Sequence, residues 1–247
     1  MADYQNSPEI EVPKSKFGLW LENFWYHYKW HTLIILFFAI VITVCVCQCS
    51  KKDSYDVYYM YAGDYEVSMK SDNGGVPEYK TISGVLTDYA SDRDGNGEIK
   101  ISFLPLFYLT NAQITAENQR LKDEGKDEEV NVNLIRENAD TFAANVTMSD
   151  YYICFLSPEV YEYYKQTQSV NLYAEAAPYT DGAAVEFYDA YTVKLSSLPI
   201  YQKAGIRDLP DDTLVAIRIL SDVAKRTDRK SAEIYAAAEE AFRKLMK

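Results

Sequence analysis

Histidine is almost missing from this chain: there are two, His27 and His31, and both lie in the first thirty-one residues. Everything downstream must therefore work without a Ser–His–Asp triad, a Cys–His pair, or a histidine-ligated zinc or iron. Cysteine is scarce as well. Three of the four, Cys45, Cys47 and Cys49, sit at the end of an apolar run, which leaves Cys154 alone in the rest of the chain. A lone cysteine excludes a disulfide framework there, and its apolar setting, Tyr151-Tyr-Ile-Cys-Phe-Leu156, reads as a buried thiol. Positive charge is in deficit: residues 51–247 hold 22 Lys and Arg against 33 Asp and Glu, a net charge of −11. Phosphate backbones need clustered basic side chains, so nucleic acid is excluded as a partner. Neither a GxxxxGK[ST] loop nor a strand-linked GxGxxG is present, and nucleotide chemistry of the common kinds has no support. With 33 acids in one domain, no carboxylate pair stands out as a catalytic couple. The expectation is that the protein is not an enzyme.

What is present points to a membrane. Leu33–Cys47 reads LIILFFAIVITVCVC, fifteen residues without a charge. With its flanks this predicts a transmembrane helix over 32–49, just long enough for a hydrocarbon core of about 30 Å at about 1.5 Å per residue. Residues 1–31 form an N-terminal segment whose stretch from Phe17 to Trp30 is dense in Trp and Tyr, side chains that favour the headgroup layer. A cleaved signal peptide is the competing reading. Against it stand the long n-region carrying Glu9, Glu11 and Glu22, the lack of an Ala-x-Ala site after the span, and Val44, Val46 and Gln48 where a lipobox wants small residues. Lys14, Lys16 and Lys29 before the span outnumber Lys51 and Lys52 after it, a bias of only three to two; the expectation of a cytoplasmic N-terminus with the remainder outside the cell comes from the resemblance described below.

Residues 50–247 are expected to form one α/β domain, with hydrophobic content of 48% for the chain as a whole and no repeat or low-complexity segment. Residues 55–62 are apolar on both faces, as a central strand would be. A helix is predicted over 77–89, a strand over 98–104, helices over 111–124 and 134–147, and a strand over 151–156. Ser157-Pro158-Glu159 is a strong helix start, with a hydroxyl cap, a proline at the first position and an acid in the first turn. After a loop-rich stretch come strands over 190–195 and 213–220 and a last helix over 228–246. Strands alternating with helices predict a mainly parallel, doubly wound sheet with 55–62 and 151–156 inside it. Ligands of such sheets gather beyond the carboxyl ends of the strands, here near Ala62 to Asp64 and Ser157.

The runs Met148–Lys165 and Val170–Tyr173, then Tyr191–Leu195 and Gly205–Arg218 before the closing helix, resemble one lobe of extracellular solute-binding proteins of the type II periplasmic-binding class. The resemblance covers most of residues 55–246 and is one of layout. It implies a single periplasmic-binding-like lobe, where such proteins have two lobes with the ligand between them. The segment KFGLWLENFWYHYKWHT is similar to the start of uncharacterised membrane-anchored proteins of Gram-positive bacteria, which implies a cell-surface domain. The expected function is an extracellular binding or interaction module for a small molecule, a peptide or another membrane protein; the alternative is a structural or assembly subunit of a membrane complex. Twenty-two tyrosines could supply an aromatic platform for such a ligand or simply take the place of Phe and Leu in the core.

One local motif carries chemistry. Asp92-Arg-Asp94-Gly-Asn96-Gly97-Glu98-Ile99 follows the first half of an EF-hand loop, with oxygen side chains at positions one, three and five and glycine at six. Calcium would take Asp92, Asp94, Asn96 and the Glu98 carbonyl. The twelfth position is Phe103, so the bidentate acid is missing. A polar turn built from the usual Asp, Asn and Gly is the other reading.

Overall fold

The computed structural model describes residues 15–50, 54–70, 75–167 and 172–247. The chain divides into a unit ending at Asp53 and a unit Ser54–Lys247. Lys14, Lys51 and Lys52, which enter the charge bias, lie outside the described residues.

The first unit is one helix, α1, Lys16–Ser50. Apart from Gly18 it contains no glycine and no proline, so nothing interrupts it between the aromatic segment and the apolar run. The collar is thus the first half of the same helix. At about 1.5 Å per residue, its 35 residues extend about 52 Å, well beyond a hydrocarbon core of about 30 Å. By length and composition it can cross a membrane, and none of its apolar window is buried within the protein. Phe17, Trp20, Phe24 and Tyr28 stack along one side, with ring centroids 6.0, 5.6 and 5.4 Å apart. That ladder follows from their three- and four-residue spacing, which returns side chains to one face.

The second unit is a five-stranded sheet with helices on both faces. In chain order it runs β1 (Val57–Gly63), α2 (Glu78–Thr87), β2 (Ile101–Phe107), α3 (Asn111–Asp123), α4 (Val132–Met148), β3 (Ile153–Leu156), α5 (Pro158–Thr167), β4 (Thr192–Lys194), β5 (Leu214–Ile217), α6 (Asp222–Thr227) and α7 (Arg229–Leu245). The strand order is β2-β1-β3-β5-β4. Strands β1 and β3 lie inside, as their apolar faces require, and β2 is an edge, where Pro105 needs no ladder partner for a missing N–H.

The sheet is mixed, which corrects the expectation of a mainly parallel, doubly wound one. Strand β1 pairs in parallel with β2 and β3, but β5 runs antiparallel to both β3 and β4. The reason lies in the connection. A parallel return needs a crossover element, whereas residues 195–213 contain only 3-10 turns among their regular elements, so the chain comes back beside β4 in the opposite sense.

Alternation along the strands sorts the core into two layers. Tyr59, Tyr61, Ile153 and Phe155 pack with Ile82 and Leu86 of α2 and with Ile234, Ala238 and Phe242 of α7. Met60, Ala62, Cys154 and Leu156 point the other way, to Phe142 and Val146 of α4 and Val160 and Tyr161 of α5. Tyrosine takes its place in this core: Tyr59, Tyr61, Tyr161 and Tyr164 are buried, while Tyr163 is half exposed.

Candidate functional site

The carboxyl ends of the parallel strands carry a cleft of about 550 Å³. It opens where β1 gives way to Asp64 and Glu66 and β2 ends at Phe107 and Leu109, and its other walls come from Ala116, Glu117 and Arg120 of α3 and from Val130 and Leu134 at the start of α4. Local sequence fixes those walls. Thr110 accepts a hydrogen bond from Gln113 N while the Gln113 side chain accepts one from Thr110 N, a reciprocal cap that starts α3 directly after β2. Asn131 accepts from Leu134 N and starts α4. The segment between the helices is tied down by Val130 N, which donates to Asn118 Oδ1 at 2.9 Å.

Of the residues expected to form a binding surface, Asp64 lines this cleft and Ser157 does not. Ser157 is buried, its hydroxyl accepts from Val160 N at 3.4 Å, and its own N–H donates to Ala62 O. The crevice between β1 and β3 is filled by packing: a side chain at Gly63 would lie 2.6 Å from Tyr61 Oη and 3.1 Å from Ser157 Cβ. The opening is therefore displaced towards β2. Burial pushes the Asp64 carboxyl above its ordinary range, and the nearby Glu159 carboxylate adds to the shift. Asp212 shifts the same way, from burial first and then from Glu159 and Asp64. This rim of the sheet is short of positive charge. The contribution of α3 and α4 to the cleft was missed in the sequence, although the Thr110–Gln113 capping box was a signal that α3 begins at once after β2.

The loop Asp92–Glu98 lies at the opposite rim, leading into the amino end of β2. Asp92 Oδ1 accepts from Gly95 N at 2.7 Å and Asn96 N at 3.2 Å, and Oδ2 accepts from Gly97 N at 2.8 Å. Asp94 accepts from Asn96 N, and Asn96 from Glu98 N. Gly95 and Gly97 adopt φ of 70° and 84°, which only glycine takes without strain. Hydrogen bonding to Gly97 N, followed by those to Gly95 and Asn96, holds the Asp92 carboxyl below its ordinary range. The Glu98 side chain pairs with Lys100 at 3.1 Å, and Phe103 is core. A residue overlooked in the sequence joins the cluster: the carboxylate of Asp56, just before β1, bonds Arg93 N and Lys100 N, and its ligand atom lies within 4.8 Å of those of Asp92 and Asp94. Three carboxylates thus meet where the sequence offered two. Hydrogen bonds within the loop account for its shape: Asp92 Oδ1 already accepts twice, while Asp92 Oδ2 and the two Asp56 oxygens accept once each and keep a lone pair that a hard cation can use.

Cys154 has no catalytic setting. It is buried between β1 and β5, and burial pushes its thiol up to about 12. Comparison of the chain with known protein families, curated proteins and solved structures finds no match.

Proposed function

We propose that this chain is a single-pass membrane protein whose α/β domain is an extracellular binding module, with the ligand seated in the cleft at the carboxyl ends of β1 and β2. The observation that carries the reading is the cleft itself. Its volume of about 550 Å³ falls within the range of ligand sites, roughly 300 to 1,000 Å³, and it sits where α/β sheets place their ligands. Helix α1 supports the anchor by its length and composition, and the orientation we propose puts its N-terminus in the cytoplasm and the domain outside the cell. Helices on both faces of the central parallel strands are in keeping with a single periplasmic-binding-like lobe. The absence of histidine from residues 32–247 favours binding over catalysis.

A ligand screen by thermal shift on the full chain in detergent tests this, with Ala116→Trp as the control. Ala116 is exposed on the cleft wall, so an indole there fills the space without touching the core. Compounds that stabilise the parent chain and not the variant support the reading; equal shifts in both sink it.

The aromatic ladder of α1 favours a second role, as an assembly subunit that offers this stripe to a partner helix. Co-purification of a stoichiometric membrane protein, lost on replacing Trp20 and Phe24 by Ala, is its expected result. Calcium at Asp56, Asp92 and Asp94 is a further part of the proposal, supported by the convergence of their carboxylates; its affinity would be that of extracellular modules, roughly 10⁻⁴ to 10⁻³ M. A melting temperature that rises with calcium and not with magnesium is expected, and equal values in chelator and calcium leave the loop a turn.

A further inference from the structure

The charges around the cleft narrow the class of ligand. Arg120 is the one basic residue among the described residues that line it. Its guanidinium is already engaged at both ends, with Glu117 through Nε at 2.8 Å and Nη2 at 2.5 Å, and with Glu124 through Nη1 at 2.5 Å. An anionic ligand would have to displace these carboxylates from their pairs, and the exchange gains nothing in charge. Glu117 is consumed by the same pairs. Asp64 and Glu66 are different: among the described residues neither has an ion-pair partner, and both face the cleft. Across from them Phe107, Leu109, Val130 and Leu134 supply an apolar wall.

We infer that the cleft takes an organic cation, a primary ammonium or guanidinium group on an apolar skeleton, with the cationic end at Asp64 and Glu66 and the skeleton against Phe107 and Leu109. This rests on the cleft being the binding site. A cation supplies what the rim lacks. Partial burial, with the Glu159 carboxylate nearby, raises the Asp64 carboxyl, and an ammonium group beside it would favour its charged form. The net charge of −11 on residues 51–247 raises the local concentration of any cation and repels anions of the same shape. Apolar atoms then contribute through the area removed from water, which a bare metal ion or ammonium cannot do. The same chemistry is carried by a free amine and by a Lys or Arg side chain of a peptide, and the test separates the two.

The full chain in detergent micelles is titrated calorimetrically with 2-phenylethylamine, with the neutral 2-phenylethanol and the anionic 3-phenylpropanoate of similar skeleton, and with a blocked arginine-containing tripeptide. The amine is expected to bind saturably and about tenfold or more tighter than its neutral and anionic counterparts. The preference should vanish in the double variant Asp64→Asn, Glu66→Gln, which removes both charges and keeps the size and shape of the two side chains. Binding of every probe should be lost in Ala116→Trp. If the tripeptide binds better than the amine, the source is a peptide; the reverse order assigns a free amine. Equal binding of amine and alcohol, or a preference that survives the double variant, overturns the cation inference while leaving the cleft as a site. No binding by any probe, or binding unchanged in Ala116→Trp, overturns both.

Discussion

Arg218 shows how much a single side chain can be asked to satisfy. It is 6% exposed, yet Nη1 donates to Asn145 O at 2.7 Å, Tyr151 O at 3.1 Å and Ser149 O at 3.2 Å, while the guanidinium lies over the Tyr152 ring. Two of these carbonyls belong to the carboxyl end of α4 and its cap, where the helix dipole is negative and a cationic donor is favoured. Arg218→Met keeps much of the packing and removes the donors. We expect a loss of roughly 2–4 kcal/mol, or about 5–15 °C in melting temperature for a domain of this size. A shift within about 1 °C would mean that the donors add nothing net. Asp92 acts on a smaller scale, by organising the turn before β2 through three backbone N–H groups. Asp92→Ala should lower the melting temperature even in chelator, because the turn depends on the side chain itself; any larger loss in calcium measures the ion. No loss in chelator would argue that the turn holds without its carboxylate.

Elements are fastened to one another at Asp189, which links α5 to the approach to β4. It accepts from Tyr161 Oη at 2.5 Å, Lys165 Nζ at 2.9 Å, Tyr191 N at 2.9 Å and Thr192 N at 3.0 Å. Burial alone would raise its carboxyl, but the hydrogen bonds from Tyr161, Lys165, Tyr191 and Thr192 outweigh it and bring the value down to about 2. A folded value below the unfolded one means that the stabilisation is present above the ordinary value of 3.8 and fades as pH falls towards about 2. At neutral pH it amounts to about 2 kcal/mol. Melting curves of the parent and of Asp189→Asn should differ at pH 7 and converge between about pH 4 and pH 2. A constant gap across that window would show that the cost comes from geometry and not from charge. The mixed sheet belongs to this scale too, since β5 turns back beside β4 for want of a crossover helix between them.

At the scale of the whole molecule, the proposed anchor has consequences that cell fractionation can read. Lipid-facing burial of the apolar half of α1 should keep the protein in the membrane pellet through high-salt and carbonate washes, since a spanning helix is effectively irreversible. Recovery of a soluble form that begins near Ser50 would establish a cleaved signal instead. Protease added to intact cells should remove the domain and leave a fragment containing α1. Survival of the domain until the cells are permeabilised would reverse the orientation.

Sequence alone determined what depends on composition and period. The apolar run of Leu33–Cys47, free of glycine and proline, forms an unbroken helix, and strands apolar on both faces, 55–62 and 151–156, had to lie inside the sheet. Most helix positions were legible for the same reason: caps such as Ser157-Pro158 and apolar residues at helical spacing act over a few residues. Tertiary structure decided the rest, because it depends on partners far apart in the chain. The direction of β5 is set by what packs beside it and not by its own pattern, which suits either sense. The cleft exists only where the ends of β1 and β2 meet α3 and α4, and Asp56 reaches Asp92 and Asp94 only because β1 and β2 pair in register, Val57 against Ile101. Periodicity reports which face of an element is buried, and it carries no information about which distant element buries it.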